Sequence, residues 1–142
     1  MEQNQRQVLV KAMNKLGFDA TSVENPACPG TPDVQHIDGW LELKFREEWP
    51  KRADTTVQIK HFSPQQRVWL MRRHMACRER GTDHGIAYLL LYVAETREHL
   101  LFDAKTAARK VAKDGATQAK LREWALLTTK DLQEIINYVT TS

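Results

Sequence analysis

Cysteine is nearly absent from this chain: Cys28 and Cys77 are the only two, with no C-x-x-C spacing between them. Neither a disulfide framework nor a zinc knuckle is therefore expected to organise it. Long apolar runs are absent too. The longest, Ile86 to Ala94, has nine residues, against the ~20 a membrane helix needs, so no membrane span is expected. The opening Met1-Glu2-Gln3-Asn4-Gln5-Arg6 has no apolar signal-peptide stretch, and the chain is expected in the cytoplasm. Glycine is sparse, 6 residues in 142, and with 42% hydrophobic residues the composition falls within the usual ~45–50% apolar range of globular domains. The length suits one domain, 1–142. A chain of this size buries ~68–70% of its unfolded surface and folds without a metal, so any metal would serve chemistry.

Net charge is only +3 and unevenly placed: residues 1–62 hold eight Lys/Arg against nine Asp/Glu, and residues 63–142 hold thirteen against nine. This balance permits an anionic partner such as nucleic acid without demanding one.

Val8, Leu9, Ala12, Met13 and Leu16 recur at helical spacing before Gly17, which predicts an amphipathic first helix. Glu2 falls seven residues before Leu9, on the same face as Leu9 and Leu16. Two readings stand for it: an acid complementing the helix dipole or fraying into water, or a carboxylate turned toward the body of the protein. Phe18–Glu24 reads as a strand, followed by a turn-rich loop to Pro32. Asp33–Ile37 and Trp40–Arg46 flank Asp38-Gly39, a hairpin signal because both residues tolerate positive φ. Residues 47–60 are polar and charged and are expected to form a mobile loop. Ser63-Pro64-Gln65-Gln66 supplies an N-cap, a proline at the first helical position and a glutamine three residues after the cap, so a second helix is predicted to about Arg80. Its apolar residues, Val68, Met71 and Met75 on one side and Trp69, Ala76 and Cys77 on another, suggest packing on both faces, under the C-terminal region or in a dimer. Ile86–Val93 reads as an interior strand. Leu100–Phe102 is expected beside it, with helices over Ala104–Lys113 and from Thr129-Lys130-Asp131-Leu132 to Val139. The order α-β-β-β-α-β, with a strand and two helices added, predicts an α/β layer fold around a mixed sheet.

Chemistry concentrates in Gly30-Thr31-Pro32-Asp33 and Glu42-Leu43-Lys44. Strand alternation puts Glu42 and Lys44 on one face and Leu41, Leu43 and Phe45 on the other. The hairpin brings Asp33 toward Glu42. Two carboxylates ~4 Å apart at an effective dielectric of ~20 repel by about 4 kcal/mol, which a divalent cation between them would reverse. Hard oxygen ligands suit Mg²⁺ or Mn²⁺. Such an ion polarises a phosphodiester and acidifies a bound water, with Lys44 placed to orient that water or neutralise developing charge. The competing reading is two solvated acids and a snorkelling lysine on an exposed hairpin.

These residues resemble the PD-(D/E)xK nuclease superfamily, and more narrowly its stand-alone virus-type replication-repair (VRR-NUC) branch, related to archaeal Holliday-junction resolvases. That branch has a glutamate on the first helix, a glycine closing it, G-x-P-D, E-x-K, and S-P-x-Q opening the next helix. The chain offers Glu2, Gly17, Gly30-Thr31-Pro32-Asp33, Glu42-Leu43-Lys44 and Ser63-Pro64-Gln65-Gln66 in that order. The resemblance covers roughly residues 2–94 as a catalytic core. Residues 95–142, an extension of the same domain, have no counterpart, and the loop from Glu47 to Lys60 is longer than in the branch.

The resemblance implies the family's restriction-endonuclease-like core and hydrolysis of DNA phosphodiesters. Asp33, Glu42 and the Leu43 carbonyl would hold Mg²⁺ or Mn²⁺, with Glu2 completing the acidic cluster, or Glu24 if the first helix is frayed. Lys44 would assist the attacking water, and Gln66 would orient the site or the scissile phosphate. Lys60, His61, Arg67 and Arg73 are candidate DNA contacts. Lys105, Arg109, Lys110 and Lys113, with Lys120 and Arg122 beyond, form either a second DNA-tracking stripe or a solvated helix face. The remaining histidines, His36, His74, His84 and His99, show no ligand spacing. Trp40, Trp69 and Trp124 are assigned to packing, and Trp49 is left open. The expected activity is a metal-dependent endodeoxyribonuclease resolving branched DNA such as four-way junctions. A symmetric homodimer would present two sites to a two-fold junction, in bacterial or phage-infected host cytoplasm, with no small-molecule cofactor. The alternatives are a nicking or end-processing nuclease without junction preference, and an inactive DNA-binding module.

Overall fold

A computed structural model describes residues 2–113 and 115–140, apart from the side chains of Glu2 and Gln3. The order is α1 (Glu2–Lys15), β1 (Thr21–Ser22), β2 (Val34–His36), β3 (Gly39–Arg46), α2 (Pro64–Arg80), β4 (Ile86–Val93), β5 (Glu98–Asp103), α3 (Ala104–Thr106) running into a π-helical turn (Ala107–Val111), α4 (Gln118–Trp124), β6 (Leu127–Thr129) and α5 (Leu132–Thr140). The strands form one mixed α/β sheet in sequence order β1 to β6. Among the described residues only the β3–β4 pair is parallel, since α2 carries the chain back between them.

Both faces of the sheet are covered. On one, Leu9 and Met13 of α1 and Ile135, Ile136 and Val139 of α5 pack on Val34, Leu41, Leu43, Leu90 and Leu101. On the other, Trp69 and Leu70 of α2, Ala107, Ala108 and Val111 of the π turn, and Leu121 of α4 pack on Leu89, Leu91, Leu100 and Phe102. Residues 95–142 thus supply two strands of the same sheet and part of both cores. Among the described residues no helix is long and apolar enough to cross a membrane.

Helix α2 forms as its sequence demands. The Ser63 side chain accepts from Gln66 N, the Gln66 side chain accepts from Ser63 N, Pro64 starts the helix, and Gly81 closes it in the left-handed region. Of its expected stripe Val68 is 57% and Met75 50% exposed, while Met71 between them packs against the core. Ala76, expected on a packed side, is exposed as well.

Several expectations are corrected. The stretch Phe18–Glu24 yields only the two-residue β1. In α1 the inward stripe is Leu9 and Met13, while Leu16 is 47% exposed, because the helix ends at Lys15 and Leu16 falls in the turn that follows. The hairpin turns at Ile37-Asp38, with His36 opposite Gly39, and neither Asp38 nor Gly39 has positive φ. Gly39 is required by close approach: a Cβ there would lie 2.1 Å from the Ile86 carbonyl oxygen. The 47–60 segment is packed: Trp49 and Val57 are buried, and Val57 N donates to the Ala116 carbonyl at 2.7 Å. The helix expected over Ala104–Lys113 becomes the short α3 and the π turn. Thr129 ends β6, so the last helix starts at Leu132, and α4 and β6 are further elements.

Candidate active site

The loop before β2 presses on the first turn of α2. Gly30 has φ +90°, and a Cβ there would sit 2.4 Å from the backbone carbon of Gln65. Only glycine meets both conditions, and its loop carries Asp33 to the end of β2. There the Asp33 carboxylate takes the place of a neighbouring strand, accepting from Leu43 N at 2.9 Å through Oδ2. In an extended strand a residue's N–H and C=O point to the same side, so the Leu43 carbonyl shares this open edge with Asp33.

Glu42 and Lys44 face α2, beside Leu89 and Leu91 of β4 by the parallel register. Strand alternation gives them one face, as expected, but that face is covered: Glu42 is 1% and Lys44 4% exposed. The exposed-hairpin reading therefore fails. Lys44 Nζ donates to the His61 carbonyl at 2.7 Å and to Gln66 Oε1 at 2.9 Å. It lies 3.6 Å from Glu42 Oε1 and 5.1 Å from the centre of the Phe62 ring. Gln66 Nε2 donates to Glu42 Oε1 at 3.2 Å. One glutamine thus caps α2 and ties the buried lysine to the buried glutamate.

The repulsion expected between Asp33 and Glu42 is answered by the protein itself. Arg6 Nη2 stands 3.0 Å from Asp33 Oδ1, while Glu42 has Lys44 and the Gln66 amide. Each carboxylate thus has a protein cation of its own. A hard cation still fits the donor chemistry, because Asp33, Glu42 and the Leu43 carbonyl offer oxygen alone, and Mg²⁺ commonly takes one or two carboxylates and completes its shell with water. Among the described residues no three His, Cys, Asp or Glu side chains converge as a ready-made metal group. Glu2 opens α1, four residues before Arg6, and its side chain lies outside the described residues. Glu24 stands 89% exposed, 4.0 Å from Arg6.

The candidate DNA contacts divide. Lys60 and His61 are exposed beside Lys44, with His61 held at φ +62° so that its carbonyl turns onto the ammonium. Arg67, on the first turn of α2, donates through Nε to the Ala108 carbonyl at 3.1 Å. Arg73 lies near the middle of the helix, stacked on Trp69 and Trp40 and donating to the Gly85 carbonyl at 2.8 Å. The structure does not bring it to the cluster. Arg109, Lys110 and Lys113 are exposed, whereas Arg122 pairs with Glu98 at 2.9 Å. His36 and His99 are buried. Burial pushes both below the usual histidine range, with Asp38 and Asp131 respectively opposing the shift.

Sequence reasoning missed two partners of the site. Phe62 gave no signal. Arg6 gave a faint one, a cation four residues after Glu2 and three before Leu9. Comparison with known protein families finds no match, and no curated protein matches the chain.

Proposed function

We propose that the chain is a divalent-metal-dependent endodeoxyribonuclease with a PD-(D/E)xK-type core, most suited to branched DNA such as four-way junctions and acting as a homodimer. The observation that carries this reading is the burial of Glu42 and Lys44 against Gln66 at the sheet end that Asp33 reaches. Burying an ion pair costs several kcal/mol per charge before its partners compensate, and apolar residues of similar size are commonly as stable there. A fold has little reason to hold an acid and an amine in that register unless they act.

Bound Mg²⁺ or Mn²⁺ would polarise a phosphodiester and acidify a water molecule. Asp33, Glu42 and the Leu43 carbonyl would hold it. Lys44, pinned by Gln66 and His61, supplies a preorganised positive charge for the attacking water or the phosphorus oxygens. Lys60 and the His61 side chain, exposed next to it, would meet the DNA backbone. The exposed Val68 and Met75 of α2 support the dimer.

The test compares four-way junction, flap, single-stranded and plain duplex DNA at one salt concentration with Mg²⁺ or Mn²⁺, using wild type, Asp33→Asn and Lys44→Ala. Cutting that both substitutions abolish while DNA binding persists is the expected result. Cutting without junction preference makes the protein a nicking or end-processing nuclease. No cutting of any substrate leaves the inactive DNA-binding module, a reading favoured by the arginine already paired with Asp33.

A further inference from the structure

Arg6 shares the inward stripe of α1 with Leu9 and Met13, where helical spacing favours another apolar residue. It reaches past the helix instead. Nη2 meets Asp33 Oδ1 at 3.0 Å and Nη1 donates to Ser22 Oγ at 3.2 Å. Its Nε is buried with no hydrogen-bond acceptor among the described residues. Among the described residues the fork is thus hydrogen-bonded to one carboxylate oxygen and one hydroxyl, short of the bidentate match that makes arginine pairs strong.

The two partners differ in freedom. Asp33 is clamped through its second oxygen by Leu43 N and cannot follow a retreating cation. Arg6 has a long side chain, 20% exposed, and the outward carboxylate of Glu24 lies 4.0 Å from its Nη1. A divalent ion approaching Asp33 Oδ1 meets a like charge already seated there. It must displace the guanidinium, and a second acceptor waits on the solvent side.

We propose that Arg6 is the resident counter-ion of Asp33 and competes with the divalent cation for that carboxylate, so that metal uptake swings the guanidinium from Asp33 toward Glu24 and Arg6 sets the metal affinity of the site. This rests on the nuclease reading above. A purely structural Arg6 has the opposite consequence, because losing it would loosen Asp33 and weaken metal binding.

The experiment is calorimetric titration of Mn²⁺ into the full-length protein without DNA, for wild type, Arg6→Met, Arg6→Gln and Asp33→Asn, with thermal midpoints measured in chelator. The expected result is Mn²⁺ binding about tenfold tighter in Arg6→Met, the scale of one charged contact removed from competition, together with a lower midpoint in chelator. Arg6→Gln, which keeps a donor for Ser22, gives the same tightening and decides the matter if the methionine variant does not fold. Unchanged or weaker Mn²⁺ binding in the Arg6 variants, with wild-type binding abolished by Asp33→Asn, overturns the competition alone. Absence of Mn²⁺ binding in every protein, or binding indifferent to Asp33→Asn, overturns the metal-site reading and this inference with it.

Discussion

Removing the Gln66 side chain is the sharpest stability test of the buried cluster, because this residue serves two structures at once. Its Oε1 accepts from Ser63 N at 3.0 Å and from Lys44 Nζ at 2.9 Å, and its Nε2 donates to Glu42 Oε1 at 3.2 Å. Ser63→Ala deletes the other half of the capping box, the acceptor for Gln66 N at 3.2 Å, and leaves the lysine and glutamate untouched. That variant should cost about 1 kcal/mol, the ordinary value of a helix cap. Gln66→Met keeps the volume, and it loses a cap contact of similar size plus two hydrogen bonds to charged groups, each worth about 1.5–3 kcal/mol. Because these bonds share atoms they do not add fully, and about 3–4 kcal/mol is expected, a large fraction of the ~5–15 kcal/mol of a typical domain. Urea unfolding at neutral pH measures both variants from their midpoints at constant slope. If Gln66→Met falls within about 0.5 kcal/mol of Ser63→Ala, the bridge from Lys44 through Gln66 to Glu42 contributes nothing and the argument from buried charge fails.

Three further outcomes follow from other parts of the structure. Glu98 is held at about 2, chiefly by the Arg122 hydrogen bonds, against burial and with help from Thr96 and Trp49. Its folded value lies below its unfolded one, so the stability it confers is complete above about pH 4.5 and lost as pH falls toward 2. Arg122 is 38% exposed, so screening leaves about 1–2 kcal/mol of this, and Glu98→Gln should flatten that stretch of an acid unfolding curve. His99 is held below its usual value by burial, against Asp131. The unfolded chain therefore binds its proton first, and stability falls as pH drops below about 6.5. His99→Phe should reduce that slope in urea midpoints taken between pH 7 and 5, leaving the part due to His36. Gly30→Ala, with strained φ and a blocked Cβ, should cost about 2–4 kcal/mol, whereas Gly17→Ala, at φ +85° with open space around it, should cost about 1–2 from backbone strain alone. Thermal unfolding of the two side by side checks the difference.

How much of this was legible depended on whether the deciding interaction was local. Ser63, Pro64 and Gln66 announce a helix start because a cap is settled within four residues. The common face of Glu42 and Lys44 follows from strand alternation, and the reach of Asp33 to β3 follows from a short hairpin. That the face is buried was not legible, since nothing in Glu-Leu-Lys tells whether a helix lies over it. Arg6 escaped for the same reason, its partner being 27 residues away. The turn at Ala107–Val111 widens to a π helix, with Ala112 N reaching the Ala107 carbonyl at 2.9 Å while Arg67 takes the Ala108 carbonyl, a long-range contact that composition does not encode. Helix α4 buries only Leu121, too little to set up a period.

The stretch between β3 and α2 shows how residues 95–142 bear on the candidate site. Its polar composition suggested mobility, yet its few apolar residues are its anchors. Trp49 is buried, its Nε1 donates to Glu98 Oε1 at 2.8 Å, and Arg122 lies over its ring at 4.8 Å. Further along, Thr56 bridges to Thr117, and Arg46 donates to the Gln58 carbonyl at 2.6 Å. The stretch then ends at His61, whose backbone, in a conformation unfavourable for a residue with a side chain, delivers its carbonyl to Lys44. Beta strand β5 and helix α4 therefore hold the far end of a segment whose near end fixes the ammonium. Lys44 is immobilised from two directions, by Gln66 through the start of α2 and by His61 through a loop clamped to residues 95–142, so those residues contribute to the site through the position of one lysine.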